Sequence, residues 1–343
     1  TTGYDNVAVG AGALDASNAN DNTAVGRNAL GVNTSGTRNT ALGYATLDAN
    51  TTASYNTAVG GLALSTNTEG THNAALGFSA LYCNLCGAYN TAVGNYALEK
   101  NTASQNTALG YQAGYITTTG CCNVAVGAFS LYCNTGGSFN VAIGRTALRN
   151  NTCSRNIGIG YASGYNGATA ENIVGVGSET LFQNITANNN TALGYRALYY
   201  TNAPENTAVG ASALCCNRAG CRNTAVGYLA LNKTTDGSFN TAVGRTALCA
   251  NTTGKQNVAV GTYAACCNTT GCYNTYLGEQ SGFINTTSSC NTGIGQAALA
   301  NNTAEQNTGV GYGALYGNTT GCRNTAVGTS ALYNNTCGLY NAA

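Results

Sequence analysis

Three kinds of residue in this chain have types and spacings suited to chemistry: sixteen cysteines, one histidine and twelve carboxylates. The cysteines gather in short clusters. CCNRAGC holds Cys215, Cys216 and Cys221, CCNTTGC holds Cys266, Cys267 and Cys272, and CNLC holds Cys83 and Cys86. A C-x-x-C pair binds zinc when a second pair or histidines complete the ligand set. No such partner completes CNLC, so disulfides are the expected use, with Cys216–Cys221 and Cys267–Cys272 as the local candidates, although sequence alone does not settle connectivity. Cysteine at this density suits an oxidising, extracellular setting. His72, in the turn TEGTHN, is the one histidine a Ser-His-Asp or Cys-His arrangement would need. The carboxylates are scattered, with no Asp or Glu pair at a repeated position for acid–base work. The expectation is a protein that is not an enzyme, with no catalytic set, no metal and no cofactor.

Charge excludes further classes. Charged residues make up 7% of the 343 positions and the net charge is +1, leaving no basic footprint for nucleic acid or an anionic membrane. No apolar run reaches the roughly 18 residues that suggest a bilayer span.

What must position these residues is a repeat. The unit N-T-A-V-G-x-x-A-L-x-x-N-T-T-G-x-x recurs from end to end, with a marker glycine at Gly10, Gly26, Gly43, Gly60 and onward to Gly328, spaced by 16 or 17 residues. Residues 1–343 read as one continuous repeat array with no separate domain. An aliphatic residue precedes every marker glycine (Val9, Val25, Val59, Val226, Val327), and Leu follows four residues later in most repeats (Leu14, Leu30, Leu64, Leu231, Leu332). Gly114, Gly164, Ala265 and Gly282 are exceptions. Two aliphatic residues flanking a glycine predict two short inward-facing strands that meet at a corner. Glycine, Asn and Thr at this density disfavour helix.

One coil cannot stand alone. Burying two aliphatic side chains yields roughly 1.5–3 kcal/mol each, while ordering each residue costs roughly 1–2 kcal/mol. Each coil therefore needs the ones above and below, which is the logic of a solenoid. The predicted fold is an all-β parallel solenoid of about twenty coils, an elongated rod roughly 95 Å long at the usual strand spacing. Three repeats span about 50 residues, and GYQAGY at 110–115 returns as GYASGY at 160–165. Duplication of three-coil blocks explains this rhythm better than one wide turn of three repeats, whose interior would lack large apolar residues.

Asparagine stands four residues before the marker glycine at Asn6, Asn22, Asn39, Asn56, Asn73, Asn90, Asn223, Asn240 and Asn324, and the repeat of Gly177 has Ile173 there. Stacked at strand spacing, these amides are expected to form a ladder. A second column, seven residues after the glycine, includes Asn33, Asn50, Asn67 and Asn251 and is assigned to a turn that tolerates left-handed backbone. Ala two residues before the glycine (Ala8, Ala24, Ala58) alternates with the inward Val and so is expected outside, suited either to a neighbouring chain or to a tight corner. The Asn-x-Thr sequons at Asn251, Asn268, Asn285 and Asn318 leave glycosylation open. Tyrosines after the glycine (Tyr44, Tyr111, Tyr195, Tyr228, Tyr312) or near the turns (Tyr82, Tyr89, Tyr132, Tyr273) either pack on the surface or contact glycans.

The N-T-A-V-G-x-x-A-L unit resembles the head repeats of trimeric autotransporter adhesins. It looks still more like the NTAIG-x-x-AL arrays of phage-type tail fibres and bacterial surface proteins. The resemblance covers essentially the whole chain and implies left-handed parallel β-rolls that associate as trimers. The coil here is longer than the usual adhesin-head repeat, cysteine is more abundant, and no coiled-coil stalk, membrane anchor or chaperone segment is read in these residues. The expected function is a rigid fibre or adhesin segment on a virion or cell surface. Its expected partners are other copies of itself, as a homotrimer or end-to-end filament, and a host glycan or protein, with no nucleic acid and no membrane insertion. The alternative is an ice-binding solenoid, because Thr follows the Asn column (Thr23, Thr40, Thr57, Thr91). Alternation argues against it by placing that Thr inward beside Val.

Overall fold

A computed structural model describes residues 3–343, which are all-β: twenty strands of three residues, joined by turns and without a helix. The chain divides into two compact units at Asn172/Ile173. The first carries β1 (Val7–Val9) to β10 (Ile157–Ile159), the second β11 (Val174–Val176) to β20 (Thr325–Val327). Within each unit every strand pairs in parallel with the next. β2 (Thr23–Val25) lies on β3 (Thr40–Leu42) with Thr23 beside Thr40, Ala24 beside Ala41 and Val25 beside Leu42. One repeat is therefore one turn of a parallel β-solenoid, and like residues stack on like.

The strands face the opposite way from the sequence expectation. The middle residue is buried and the two flanking residues turn outward. Ala24, Ala58 and Ala225 are fully buried. The aliphatic residues assigned to the core lie on the surface: Val9, Val226 and Val327 are exposed, and Val25 and Val59 are half-buried. Interior width is the physical reason. Opposing walls of one coil are held so close that Ala fits at mid-strand, whereas a branched side chain has room only outside. The four-after column behaves as expected in stacked coils, since Leu14, Leu30, Leu64 and Leu231 are buried. Leu332 is only half-buried.

Corner geometry explains the glycines. The marker glycines have φ between 121° and 138°, open only to glycine, and a Cβ on Gly26 would lie 2.3 Å from the Gly43 carbonyl oxygen. The Leu column is also left-handed, with φ near 50° at Leu30, Leu47 and Leu64. That conformation costs a non-glycine residue roughly 1–2 kcal/mol, which burial of the leucine offsets at roughly 1.5–3 kcal/mol. Backbone groups at the corners are satisfied between coils as in the strands: Leu30 N–H donates to Thr46 O at 3.0 Å and Thr34 N–H to Thr51 O at 2.9 Å.

Half of the interior is polar. In the four-before column each Asn side-chain oxygen accepts the backbone N–H of the next Asn, as from Asn39 to Asn22 and from Asn56 to Asn39, both at 2.9 Å. The side-chain nitrogen donates to a corner carbonyl, Asn39 Nδ2 to Ala53 O at 2.8 Å. The ladder is thus amide-to-backbone, and amide-to-amide as well in several coils, where Asn223 Nδ2 reaches Asn206 Oδ1 and Asn240 Nδ2 reaches Asn223 Oδ1, both at 3.2 Å. The amide-to-backbone pattern holds at Asn6, Asn22, Asn73, Asn90, Asn223, Asn240 and Asn324. The seven-after column supplies a second amide ladder. Asn50 Nδ2 donates to Asn33 Oδ1 at 2.9 Å and Asn67 Nδ2 to Asn50 Oδ1 at 3.1 Å. These residues are buried and do not have positive φ, which corrects their assignment to left-handed backbone. Ile173, where the column has Asn, is fully buried.

Candidate interaction surfaces

The outward residues of the strands form two parallel rows on one face of each unit. The first-position row is Thr, Val, Ala or Ile, and the third is Val, Leu or Ile, without a charged residue. In the first unit Leu42, Leu76 and Leu109 are 46%, 49% and 48% exposed, interleaved with half-buried Val59 and Val93. In the second, Leu193, Val226, Val260 and Ile294 are likewise exposed. A contiguous apolar surface of this kind marks an interaction site more often than scattered apolar residues do. The sequence carried one signal for it. Val, Leu and Ile interchange before the glycine, as a surface permits, while the residue before them is Ala or Gly almost throughout.

Side chains five residues before the marker glycine stack along the outside. Asp21 pairs with Arg38 at 3.7 Å, and the Arg38 guanidinium lies over Tyr55 at 5.3 Å. Tyr55 stacks on His72 at 4.8 Å and His72 on Tyr89 at 5.0 Å. The one histidine is therefore the middle of a three-ring stack, against tyrosine on both faces. In the second unit Glu205 binds Arg222 at 2.5 Å, and Arg222 lies over Phe239 at 5.5 Å. Exposed contacts of this type contribute little each. Their effect is to cover the ring faces with one another. Tyr44 and Tyr195 keep exposed surface beside Arg27 and Arg196, and Tyr111, Tyr228 and Tyr312 are exposed.

All sixteen cysteines are unbridged. Cys216 and Cys267 lie against their vicinal neighbours Cys215 and Cys266 instead of Cys221 and Cys272. Cys221 Sγ is 3.8 Å from Ser238 Oγ in the next coil, and Cys272 Sγ accepts the Lys255 N–H at 3.3 Å. Neither expected local pair is bridged, and Asn217 and Asn268, in the corners that the two pairs would span, are buried. Burial, then the adjacent Cys216, pushes the Cys215 thiol up to about 11, and burial, then Cys267, does the same at Cys266. Among the described residues no cluster of three or more metal-ligating side chains could hold a metal ion, and no helix is long and apolar enough to cross a membrane.

The sequons are placed in the interior. Asn251, Asn268, Asn285 and Asn318 are fully buried members of the seven-after ladder, so a glycan on any of them is incompatible with the folded coil.

These features define the chain as a parallel β-solenoid with an uncharged Thr/aliphatic strand face in each unit. No protein-family model matches it, and no curated protein does.

Proposed function

We propose that this chain is a segment of an extracellular structural fibre or adhesin, on a cell surface or virion, that associates with further copies of itself and carries out no catalysis. The observation that carries this reading is the charge-free aliphatic row on the outer strand face of each unit. A regular apolar strip repeating at strand spacing is best covered by an identical strip, because equal periods bring every residue into contact. The resemblance of N-T-A-V-G-x-x-A-L to trimeric adhesin heads and tail-fibre arrays supports the same assignment, with a trimer or filament as the assembly. Corner side chains then meet a host glycan or protein. Sedimentation analysis tests it: the chain should run as a trimer or larger. A variant carrying Leu42→Lys, Leu76→Lys and Leu109→Lys should run as a monomer with unchanged circular dichroism. An unmodified chain that stays monomeric at high concentration overturns the reading.

The outward Thr row favours a second reading, an ice-binding solenoid. Thr40, Thr57 and Thr91 share the flat face with the aliphatic row and are exposed. The objection drawn from strand alternation therefore does not hold. Thermal hysteresis that vanishes in a Thr57→Lys, Thr91→Lys variant supports this reading, and its absence from the unmodified chain removes it.

A further inference from the structure

The coil after Gly194 is 16 residues long, whereas the coils after Gly177 and Gly210 are 17. The missing residue lies in the corner Thr201-Asn202-Ala203-Pro204, where Thr201 replaces the usual Asn. This short corner, stiffened by the one proline, is flanked by two full-length corners, and a notch results. It is a cavity of about 410 Å³ lined by Gln183, Ile185, Tyr200, Asn202 and Arg218, a volume within the roughly 300–1,000 Å³ of small-ligand sites.

Two of the lining residues are held in place by their neighbours. The Tyr200 ring is braced edge-on by Tyr199 at 4.5 Å, and Tyr199 stacks on Phe182 at 5.1 Å. Asn202 Oδ1 accepts from Thr186 N–H at 3.1 Å and Thr186 Oγ1 at 3.0 Å, which leaves its Nδ2 as the donor available to a ligand. Arg218 is exposed, and among the described residues it has no carboxylate partner. The carboxylate in the short corner, Glu205, is already bound to Arg222. The other four short coils have Ala16 and Asn18, Lys100 and Thr102, Asn150 and Thr152, or Asn301 and Thr303 where this one has Tyr200 and Asn202, so the aromatic wall is particular to this notch.

We propose that this notch binds an acidic saccharide, a sugar ring bearing a carboxylate. The acid group takes the planar guanidinium of Arg218, whose fork geometry matches a carboxylate. Gln183 and Asn202 hydrogen-bond the ring hydroxyls, and the apolar face of the sugar lies on Tyr200 and Ile185. The proposal rests on the reading of the chain as a surface fibre that meets glycans.

Saturation-transfer NMR with glucuronate as the probe and glucose as the neutral comparison tests it on the full chain. The expected result is transfer to the glucuronate ring protons. Affinity should fall about tenfold or more in Arg218→Gln and for glucose, the size expected for losing one charge-assisted hydrogen bond. A glycine inserted after Asn202, restoring the full-length corner, should abolish the signal with an unchanged unfolding temperature. Equal binding by Arg218→Gln, or no transfer from the unmodified chain, overturns the site. Assembly is read separately by sedimentation, because the notch lies on a corner and not on the strand face. A chain that assembles without binding glucuronate sinks the notch alone, and one that binds yet stays monomeric sinks the fibre reading alone.

Discussion

Tyr276 stands at mid-strand, where nearly every other coil has Ala or Gly, and its ring fills the space that Gly282 leaves by lacking the usual Leu. A Cβ on Gly282 would lie 2.3 Å from the tyrosine ring. The ring is fully buried, its hydroxyl accepts from Asn285 Nδ2 at 3.1 Å, and burial pushes its ionisation upward. One coil has thus exchanged Ala-plus-Leu for Tyr-plus-Gly.

The exchange predicts strong coupling. Gly282→Leu alone should destabilise the chain through overpacking by roughly 1–3 kcal/mol or more. Tyr276→Ala alone should cost roughly 3–5 kcal/mol through the cavity it leaves. The double variant restores the common coil and should recover most of both losses. Chemical denaturation of all four proteins gives the coupling energy, and simple additivity would refute the account.

The interior ladder predicts a cost far above that of a surface amide. Asn56→Ala removes the acceptor of the Asn73 N–H at 2.9 Å and the donor to Gly70 O at 2.8 Å. Each buried group left unpaired costs about 1–3 kcal/mol. Thermal unfolding of Asn56→Ala should show a marked drop, whereas Asn202→Ala, on the exposed corner, should leave the midpoint nearly unchanged.

Thiol chemistry carries a pH dependence with a definite sign. Cys215 and Cys266 are raised from an ordinary 9.0 to about 11, so the neutral form is favoured in the fold. The stability this reflects is fully present below about pH 9 and is lost as pH rises towards 11. At pH 8 these thiols should be alkylated roughly a hundredfold more slowly than a cysteine of ordinary pKa, since the thiolate is the reacting form. Mass spectrometry after timed iodoacetamide treatment measures this, with exposed Cys86 as the internal reference. Equal rates at Cys266 and Cys86 would contradict it.

Expression through a secretory pathway should leave Asn251, Asn268, Asn285 and Asn318 without glycans in the folded protein, because their amides donate inside the coil. Asn268 Nδ2, for one, reaches Asn251 Oδ1 at 3.0 Å. Intact-mass measurement before and after glycosidase treatment decides it.

The period of the coil, its parallel stacking and the Leu column were legible in the sequence, because a solenoid writes each layer into a column of letters. The facing of the strand was not. Val9 and Val25 outrank Ala8 and Ala24 in hydrophobicity, and that ranking placed the larger residue inside. Steric room decided otherwise, and its trace was present in the narrow choice at the Ala position and at the single coil where Tyr276 and Gly282 change together. The exposed ladder from Arg38 to Tyr89 was hidden for a different reason. Its members do not repeat one residue type, and only the seventeen-residue offset brings Tyr55 onto His72. The notch at Tyr200 followed from the 16-residue spacing, which marked the rhythm of the array and also thins a wall.

The Oδ1-accepting bonds of the interior share a sense. Asn39 donates back to Asn22, Asn56 to Asn39, and Asn50 to Asn33, the later coil always giving and the earlier receiving. In these Asn columns a layer therefore has unlike sides, its Oδ1 lone pairs turned to the later coil, although the backbone gives and receives in both directions. Any block of coils can be superposed on another by sliding, never by inversion. Should two such blocks meet end on, only one polarity continues the asparagine rows, and whatever is built that way inherits an arrow.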